Sequence, residues 1–551
     1  MNRNTNSHFA YNPTNLDISR SKFVRPSTHK TTMNTGDLVP IYVDEILPGD
    51  TAIMDMSTII RMATPIFPVM DNAYADFYYF FVPNRLVWDH FKEFMGENST
   101  TFWEQKTEYE IPQVTSPTGG WEKGTIADYM GIPTKIENLS ISSLWFRAYG
   151  LIYNEWFRDE NLIQPVMINT DETTQTGSNG TNPITDVQNG GMPCKVAKYA
   201  DYFTTALPEP QKGPDILIPL GQTAPVYGNG SPMYLTGTDK NDAIGLRALP
   251  RLATGEATGS NYRMLAYDNQ NNVAAELGLI EKGKDHTPNI YADLSEATGA
   301  TINQLRQSFA VQRMYEKDAR GGTRYTEIIR THFGTISPDA RLQRPEYLGG
   351  MRVPININQV IQTSATNDVT PQGNTAAYSL TSHREHSFTK SFTEHGMIIG
   401  LCCIRTDHTY QQGLERMFSR KKRFDYYWPS FANLGEQAIL NKEIYAQGTN
   451  ADEEAFGYQE AWGEYRYKPS RVSGAFRSNY AQTLDAWHYA DYYKEQPILS
   501  SGWIQETREN MNRTIAVSDE LEDQFIADFY FKNTMIRPMP VYSIPGLIDH
   551  H

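Results

Sequence analysis

From Phe77 to Val82 every position is apolar or aromatic. A run this short with aromatics on both faces predicts a strand buried on both sides, one face in a core and the other against a second layer or subunit. Pro83 cannot donate to a ladder and ends the strand. Asn84 offers a helix N-cap, Val87, Phe91, Phe94 and Met95 fall on one helical stripe, and Gly96 fits the stop. The stretch therefore reads strand, break, short amphipathic helix. It carries more aromatic surface than one small helix needs.

The rest of the chain is patterned around it. Residues 39–47 and 52–60 alternate like strands, with a turn at Leu47-Pro-Gly-Asp50 between them. Helical periodicity returns at about 142–162, where Leu144, Ala148, Ile152 and Trp156 share one stripe. From 165 to 295 Thr, Asn, Gly and Pro dominate and no long periodic segment occurs. A structureless loop of that length does not suit a compact domain, so an inserted surface subdomain of short strands and long turns is expected. Helices follow at 301–317, opened by the capping-box pattern Thr301-x-x-Gln304, and at 323–333, stopped by Gly334. Residues 351–363 and 386–406 read as strands. The last strand is 525–537, where Phe525, Ala527, Phe529 and Phe531 alternate and Pro538 ends the run. Strands at both ends with helices and an insertion between them favour a mainly β sandwich with elaborate loops over a βαβ repeat. The expected divisions are a basic N-terminal arm at 1–36, strands and helical loops at 37–164, the insertion at 165–295, and further loops and strands at 296–551.

Composition narrows the class. The 551 residues are 39% hydrophobic and 21% charged, which is globular and not disordered. With 33 Tyr and 9 Trp, aromatics reach 12%, suggesting extensive subunit contact. The formal charge of −15 argues against a dedicated duplex-DNA reader, so any nucleic-acid contact must be local. Three cysteines, Cys194, Cys402 and Cys403, form no disulfide framework and predict a reducing compartment. The first thirty residues lack the apolar core of a signal peptide, and the longest clean apolar run, 397–404, falls short of the roughly 18 residues of a membrane span.

The candidate chemistry is sparse. Gly278 to Lys284 approaches a phosphate-binding loop, but Asp285 stands where Ser or Thr must hold Mg²⁺ and no apolar strand precedes it; a surface turn is the better reading. His383, His386 and His395 cluster without the Cys or carboxylate that would complete a metal set. No catalytic, cofactor-binding or metal-binding residue is assigned. Arg20, Lys22, Arg25 and Lys30, with Arg3, face a single acid, Asp17, within residues 1–36. That segment is either a solvated terminus or an arm touching phosphate or a neighbouring subunit. Arg420, Lys421, Lys422 and Arg423 precede Phe424, Tyr426, Tyr427 and Trp428. Such a cluster suits single-stranded nucleic acid, where bases stack and cations track phosphates, and equally a solvated turn beside a core aromatic patch. A rival function is a glycan-binding or glycan-cleaving surface β-sandwich using Trp462, Trp487 and Trp503 as sugar platforms.

Several long strings carry a family resemblance. Arg61-Met-Ala-Thr-Pro-Ile-Phe-Pro-Val-Met-Asp-Asn-Ala-Tyr-Ala-Asp-Phe-Tyr-Tyr-Phe-Phe-Val-Pro-Asn-Arg-Leu-Val-Trp88 is the most specific, joined by 19–40, 45–51, 333–350, His395-Gly-Met-Ile-Ile-Gly-Leu401 and Tyr426-Tyr-Trp-Pro429. Together they closely resemble the major capsid proteins of small single-stranded-DNA bacteriophages, the gokushovirus branch of the microviruses. The resemblance implies an eight-stranded antiparallel jelly roll with long helix-containing loops, assembled as a T=1 icosahedral shell around a circular single-stranded DNA genome, with no enzyme activity and no cofactor. It implies a protrusion, for which 165–295 is the counterpart, meeting a host cell-surface receptor. It also implies an internal scaffolding protein, a DNA pilot protein and a small basic packaging protein as partners, assembly in the bacterial cytoplasm, and residence in the virion. On this reading Phe80→Asp should abolish assembly.

Overall fold

Strict alternation at Thr51–Met62 buries every second side chain, from Ala52 to Met62, and leaves Ile59 and Arg61 exposed. The same period-two burial runs through Phe525–Arg537. Such strands need a partner layer on one side only. In the computed structural model, which describes residues 19–98, 108–216, 301–364, 366, 371–517 and 521–542 and short strand segments at 226–228, 234–236, 243–245 and 290–292, that layer is a second sheet.

Eight strands build the two sheets: β1 (Ser21–Met33), β2 (Val39–Ile46), β3 (Thr51–Met62), β4 (Ala73–Pro83), β5 (Glu346–Pro354), β6 (Thr381–Ser391), β7 (Gly396–Thr406) and β8 (Phe525–Arg537). One sheet has the order β1-β8-β3-β6, the other β5-β4-β7-β2, and every pairing is antiparallel. The β2–β3 turn is closed by Asp50, whose Oδ2 accepts the Leu47 N–H at 2.9 Å, and Gly49 supplies the left-handed backbone at φ +90°. Phe77, Tyr79 and Phe81 of β4 point into a core between the sheets with Met54, Met56, Phe529, Phe531 and Cys402. The Phe77 and Phe529 rings meet edge-on at 5.9 Å.

Phe80 and Val82 point the other way. They join Ile399, Leu401 and Cys403 of β7 in a second core beneath a helical layer. That layer centres on α1 (Leu144–Ile152), which continues as a π-turn at Tyr153–Phe157. Tyr149 fastens it to the sheet by donating to the Leu38 carbonyl at 2.7 Å. The buried Arg147 donates to the carbonyls of Val87 and Asp171 at 3.2 and 2.9 Å, so its charge is hydrogen-bonded by the loops that cover it. Both faces of β4 are thus buried within one chain, as its aromatic run predicts.

Some elements differ from expectation. Residues 21–33 are not a loose arm: β1 pairs with β8 at all thirteen register positions. Polar composition there reflects an edge strand with one exposed face, not a solvated coil. Residues 1–18 lie outside the described ones. The segment 386–406 divides into β6 and β7, because Phe392 turns inward and anchors a reversal. The segment 351–363 breaks after Pro354, beyond which Ile357–Ile361 pairs with Thr375–Ser379. The helix foreseen at 84–95 is only a single turn at Asn84–Leu86 and another at Phe91–Phe94. The helices α2 (Ile302–Gly321) and α3 (Tyr325–Phe333) form as read; Gln304 N–H donates to Thr301 Oγ1 at 3.2 Å and Gly334 stops α3 at φ +66°.

The chain divides into a body, Met1–Lys212 with Glu316–His551, and a second unit, Gly213–Tyr315. Composition set 165–295 apart instead. The first part of that range belongs to the body because Val166, Val187, Cys194 and Val196 enter the helical-layer core and Tyr202 and Phe203 enter a third cluster with Tyr410, Ile439 and Phe456. Their apolar side chains are too widely spaced in sequence to show periodicity.

Candidate nucleic-acid interface

The basic and aromatic residues at 416–431 lie on a run of single helical turns of the body, Arg416–Ser419, Arg423–Asp425 and Pro429–Phe431, held from below. Arg416 is half-buried, its side chain 12% exposed, and pairs with Glu443 at 2.6 Å. Arg420 is likewise half-buried, its side chain 8% exposed: its guanidinium pairs with Glu464 at 3.1 Å and sits over the Tyr465 ring at 4.5 Å. These two arginines are structural anchors. Asp425 accepts the N–H groups of Lys421 and Lys422, each at 2.7 Å, and so fixes the turn.

Above these anchors, Lys421, Lys422 and Arg423 are exposed, and so are Phe424, Tyr426, Tyr427 and Trp428. Arg423 stacks over Trp428 at 4.8 Å, and Trp428 Nε1 donates back to the Arg423 carbonyl at 3.1 Å. Tyr427 rests edge-on against Trp462 at 5.7 Å. Met417, Phe418 and Leu434 extend the exposed apolar surface. Aromatic rings and unburied cations in alternation can stack bases and neutralise phosphates. Sequence reasoning missed Glu464 and Tyr465 and read Trp462 only as a sugar platform, because all three come from a separate segment some forty residues on and carry no local motif.

The four N-terminal cations do not gather at that surface. Arg20 bonds the Gly49 carbonyl and, at 3.0 Å, Thr51 Oγ1. Arg25 pairs with Asp44 at 2.6 Å. Lys30 lies 3.6 Å from Asp528, and Lys22 is exposed. All but Arg20 stand on β1, a paired strand, so they cannot act as a free arm.

Beside the surface opens a cleft of about 370 Å³, walled by Tyr410, Phe418, Tyr465 and Tyr467 and rimmed by Lys468 and Arg471. Both rim cations share one carboxylate, Glu415, at 2.5 and 2.7 Å.

Other candidates are committed elsewhere. His386 bonds Asp55 at 2.8 Å, His383 bonds Glu385 at 3.2 Å, and His395 meets the edge of Phe91 at 6.0 Å. Among the described residues no group of three or more His, Cys, Asp or Glu could hold a metal ion. No described helix is long and apolar enough to cross a membrane. Trp462 is buried and donates to the Phe431 carbonyl, Trp487 stacks on Phe67 at 5.1 Å, and Trp503 donates to Tyr493 and lies under Lys198. The three tryptophans are thus packing and hydrogen-bonding groups, and they form no row of sugar platforms. The loop at 278–285 lies outside the described residues.

One strongly perturbed ionisable group is structural. His408, just after β7, bonds Asp491 through Nδ1 and Glu506 through Nε2, both at 3.0 Å, with Lys198 3.7 Å from Asp491. Burial alone would lower the His408 pKa, but the two carboxylates outweigh it and raise it to about 10. Burial would raise Asp491, yet Lys198 and His408 hold it well below the usual carboxylate range. Two cations and two anions cancel where water is excluded, which ties the end of β7 to the 491–506 loops.

The described residues thus build two sandwiched sheets, a helical cover and an exposed basic-aromatic surface. Comparison with known proteins accords with that architecture. Residues 13–547 match the family model described as "Capsid protein (F protein)". The capsid protein VP1 of Bdellovibrio phage phiMH2K is 44% identical over 551 residues, covering 99% of this chain and 98% of that protein. The VP1 proteins of Spiroplasma virus 4 and Chlamydia phage 1 are 42% and 40% identical, each alignment covering 96% of both chains. The chain therefore belongs to the phage capsid protein (F protein) family and is a structural major capsid protein of the gokushovirus type.

Proposed function

We propose that copies of this capsid protein, each folded as an eight-stranded jelly roll, close into a T=1 icosahedral shell around a circular single-stranded DNA genome. The observation that carries the fold is the strand order: successive strands β1 to β4 alternate between the sheets, as do β5 to β8, and the termini pair as β1 with β8. That exchange between two sheets is how a jelly roll is wound. Assembly rests on apolar and aromatic burial, since a subunit charge of −15 is self-repelling at long range.

In this reading Gly213–Tyr315 is the surface protrusion that meets a host receptor. Lys421, Lys422 and Arg423 track phosphates while Tyr426, Tyr427 and Trp428 stack bases of the genome. The internal scaffolding protein, DNA pilot protein and a small basic packaging protein are the remaining partners, and assembly takes place in the host cytoplasm. The test is electron microscopy of the full chain purified after co-expression with these three partners in cells that also carry the circular single-stranded genome, together with nuclease digestion of the particles. Closed shells protecting circular single-stranded DNA are expected; monodisperse subunits that never close would overturn the reading.

A further inference from the structure

The two sheets differ in what lies on their outer faces. The outer face of β5-β4-β7-β2 is covered by the α1 layer. Among the described residues the outer face of β1-β8-β3-β6 carries no such cover: Val24, Ile59, Ile526 and Tyr530 on it are 54%, 46%, 59% and 43% exposed. The pairing register says which side chains share that face. One row runs Lys30, Asp528, Ile59, Ser382; the next Thr28, Tyr530, Ser57, Arg384; the next Pro26, Lys532, Asp55, His386. Arg61 and Lys22 stand at the two ends, opposite Ile526 and Ile536.

Five permanent cations, Lys22, Lys30, Arg61, Arg384 and Lys532, therefore face two carboxylates, Asp55 and Asp528. The face is positive on a chain whose net charge is −15. Lys30 is matched by Asp528, and His386 by Asp55. Lys22, Arg61, Arg384 and Lys532 are exposed, and among the described residues none of the four forms an ion pair or a side-chain hydrogen bond. Solvation of a single subunit does not require unmatched cations to gather on one sheet. A polyanion matches them directly. Tyr530, Ile59 and Ile526 between the cations offer flat apolar contact for unpaired bases, whereas a duplex would hide its bases from them.

We infer that the open face of the β1-β8-β3-β6 sheet is a second binding surface for single-stranded DNA, and hence the side of the subunit turned towards the genome. The inference rests on the proposed genome-enclosing role. It gives Lys22 and Lys30 a job that their place on a paired strand denies to a free arm, and it adds Arg61, Arg384, Lys532 and Tyr530, which lie more than thirty residues from any basic cluster in sequence.

The test uses the full chain and a fluorescent oligothymidylate, with affinity measured against salt concentration. Each phosphate contact to a single strand contributes about 0.7 to the slope of log affinity against log salt. Replacing Lys22, Arg61, Arg384 and Lys532 together by Gln is expected to flatten that slope by between about two and three, with an unchanged melting temperature. The charge-preserving variant, with Lys and Arg exchanged at the same four positions, should keep the slope. An unchanged slope in the Gln variant, while the unaltered chain binds, overturns this assignment and leaves the genome-enclosing role standing. An unaltered chain that shows no salt-dependent binding at all overturns both.

Discussion

The rings of Phe80 and Trp156 lie 5.4 Å apart, centroid to centroid, within one chain. Phe157 and Tyr347 complete the contact around Phe80 at 6.0 and 5.6 Å, and Phe80 is fully buried. The second face of β4 thus packs under the chain's own helical layer. A change there acts on the fold of the subunit before it acts on any contact between subunits. Phe80→Ala should cost about 3–5 kcal/mol from lost burial and the cavity left behind. Phe80→Asp adds the cost of an unpaired buried charge and should leave no soluble subunit. Soluble yield and denaturant unfolding of the isolated chain check this. A soluble, cooperatively folded Phe80→Asp subunit that merely fails to assemble would show that the contact serves the interface instead.

How much of this was legible beforehand depends on period. β3, β4 and β8 were readable because their burial alternates or saturates over six or more residues, as in Phe525, Ala527, Phe529 and Phe531. β1 was not, because an edge strand with Lys22, Arg25, Ser27 and Lys30 looks like a polar terminus until β8 supplies thirteen partners from the far end of the chain. The body's share of 165–212 was missed for a similar reason: Val166, Val187 and Phe203 are isolated apolar residues whose neighbours are remote in sequence. At the candidate interface the exposed cations Lys421, Lys422 and Arg423 were visible as a run. That Arg420 belongs to the interior could not be seen without Glu464.

Arg420 and its neighbours should separate cleanly by experiment. Its side chain is 8% exposed and that of Glu464 11%, so Arg420→Gln strands a buried carboxylate and should destabilise the subunit by about 3–5 kcal/mol. Replacing Lys421, Lys422 and Arg423 by Gln removes exposed charge only and should change stability by no more than about 0.5 kcal/mol. The same triple change should reduce the salt dependence of oligothymidylate binding by about two. Thermal melting and fluorescence anisotropy on the two variants decide between anchor and contact residue.

The His408 cluster predicts an alkaline weakness. Its folded pKa, about 10, lies above the value near 6.5 of an unfolded histidine. Stability from that charge is fully present below about 6.5 and is lost as pH rises through about 10. Asp491, held low, works in the opposite direction: its contribution is present above the ordinary carboxylate pKa near 3.9 and fades only in strong acid. Between neutrality and pH 10 the subunit should therefore lose stability progressively. His408→Gln should lower stability at pH 6 and flatten the alkaline slope. Denaturant midpoints measured from pH 6 to 10 on both proteins provide the check, and parallel curves would assign the slope to other groups.

Cys402 and Cys403 sit side by side on β7 yet face different cores, Cys402 between the sheets and Cys403 under the helical layer. Cys194 is buried in that second core as well, and all three are free thiols. Burial raises the Cys403 pKa to about 12, with Arg405 opposing it, and pushes Cys402 and Cys194 well above their ordinary values. The thiolate is the reactive form, so none of the three should react with a thiol reagent at pH 8 while the subunit is folded. Three equivalents should react after denaturation. Labelling of one thiol in the native protein at a rate independent of denaturant would place that cysteine at the surface and break the two-core arrangement on which the sandwich depends.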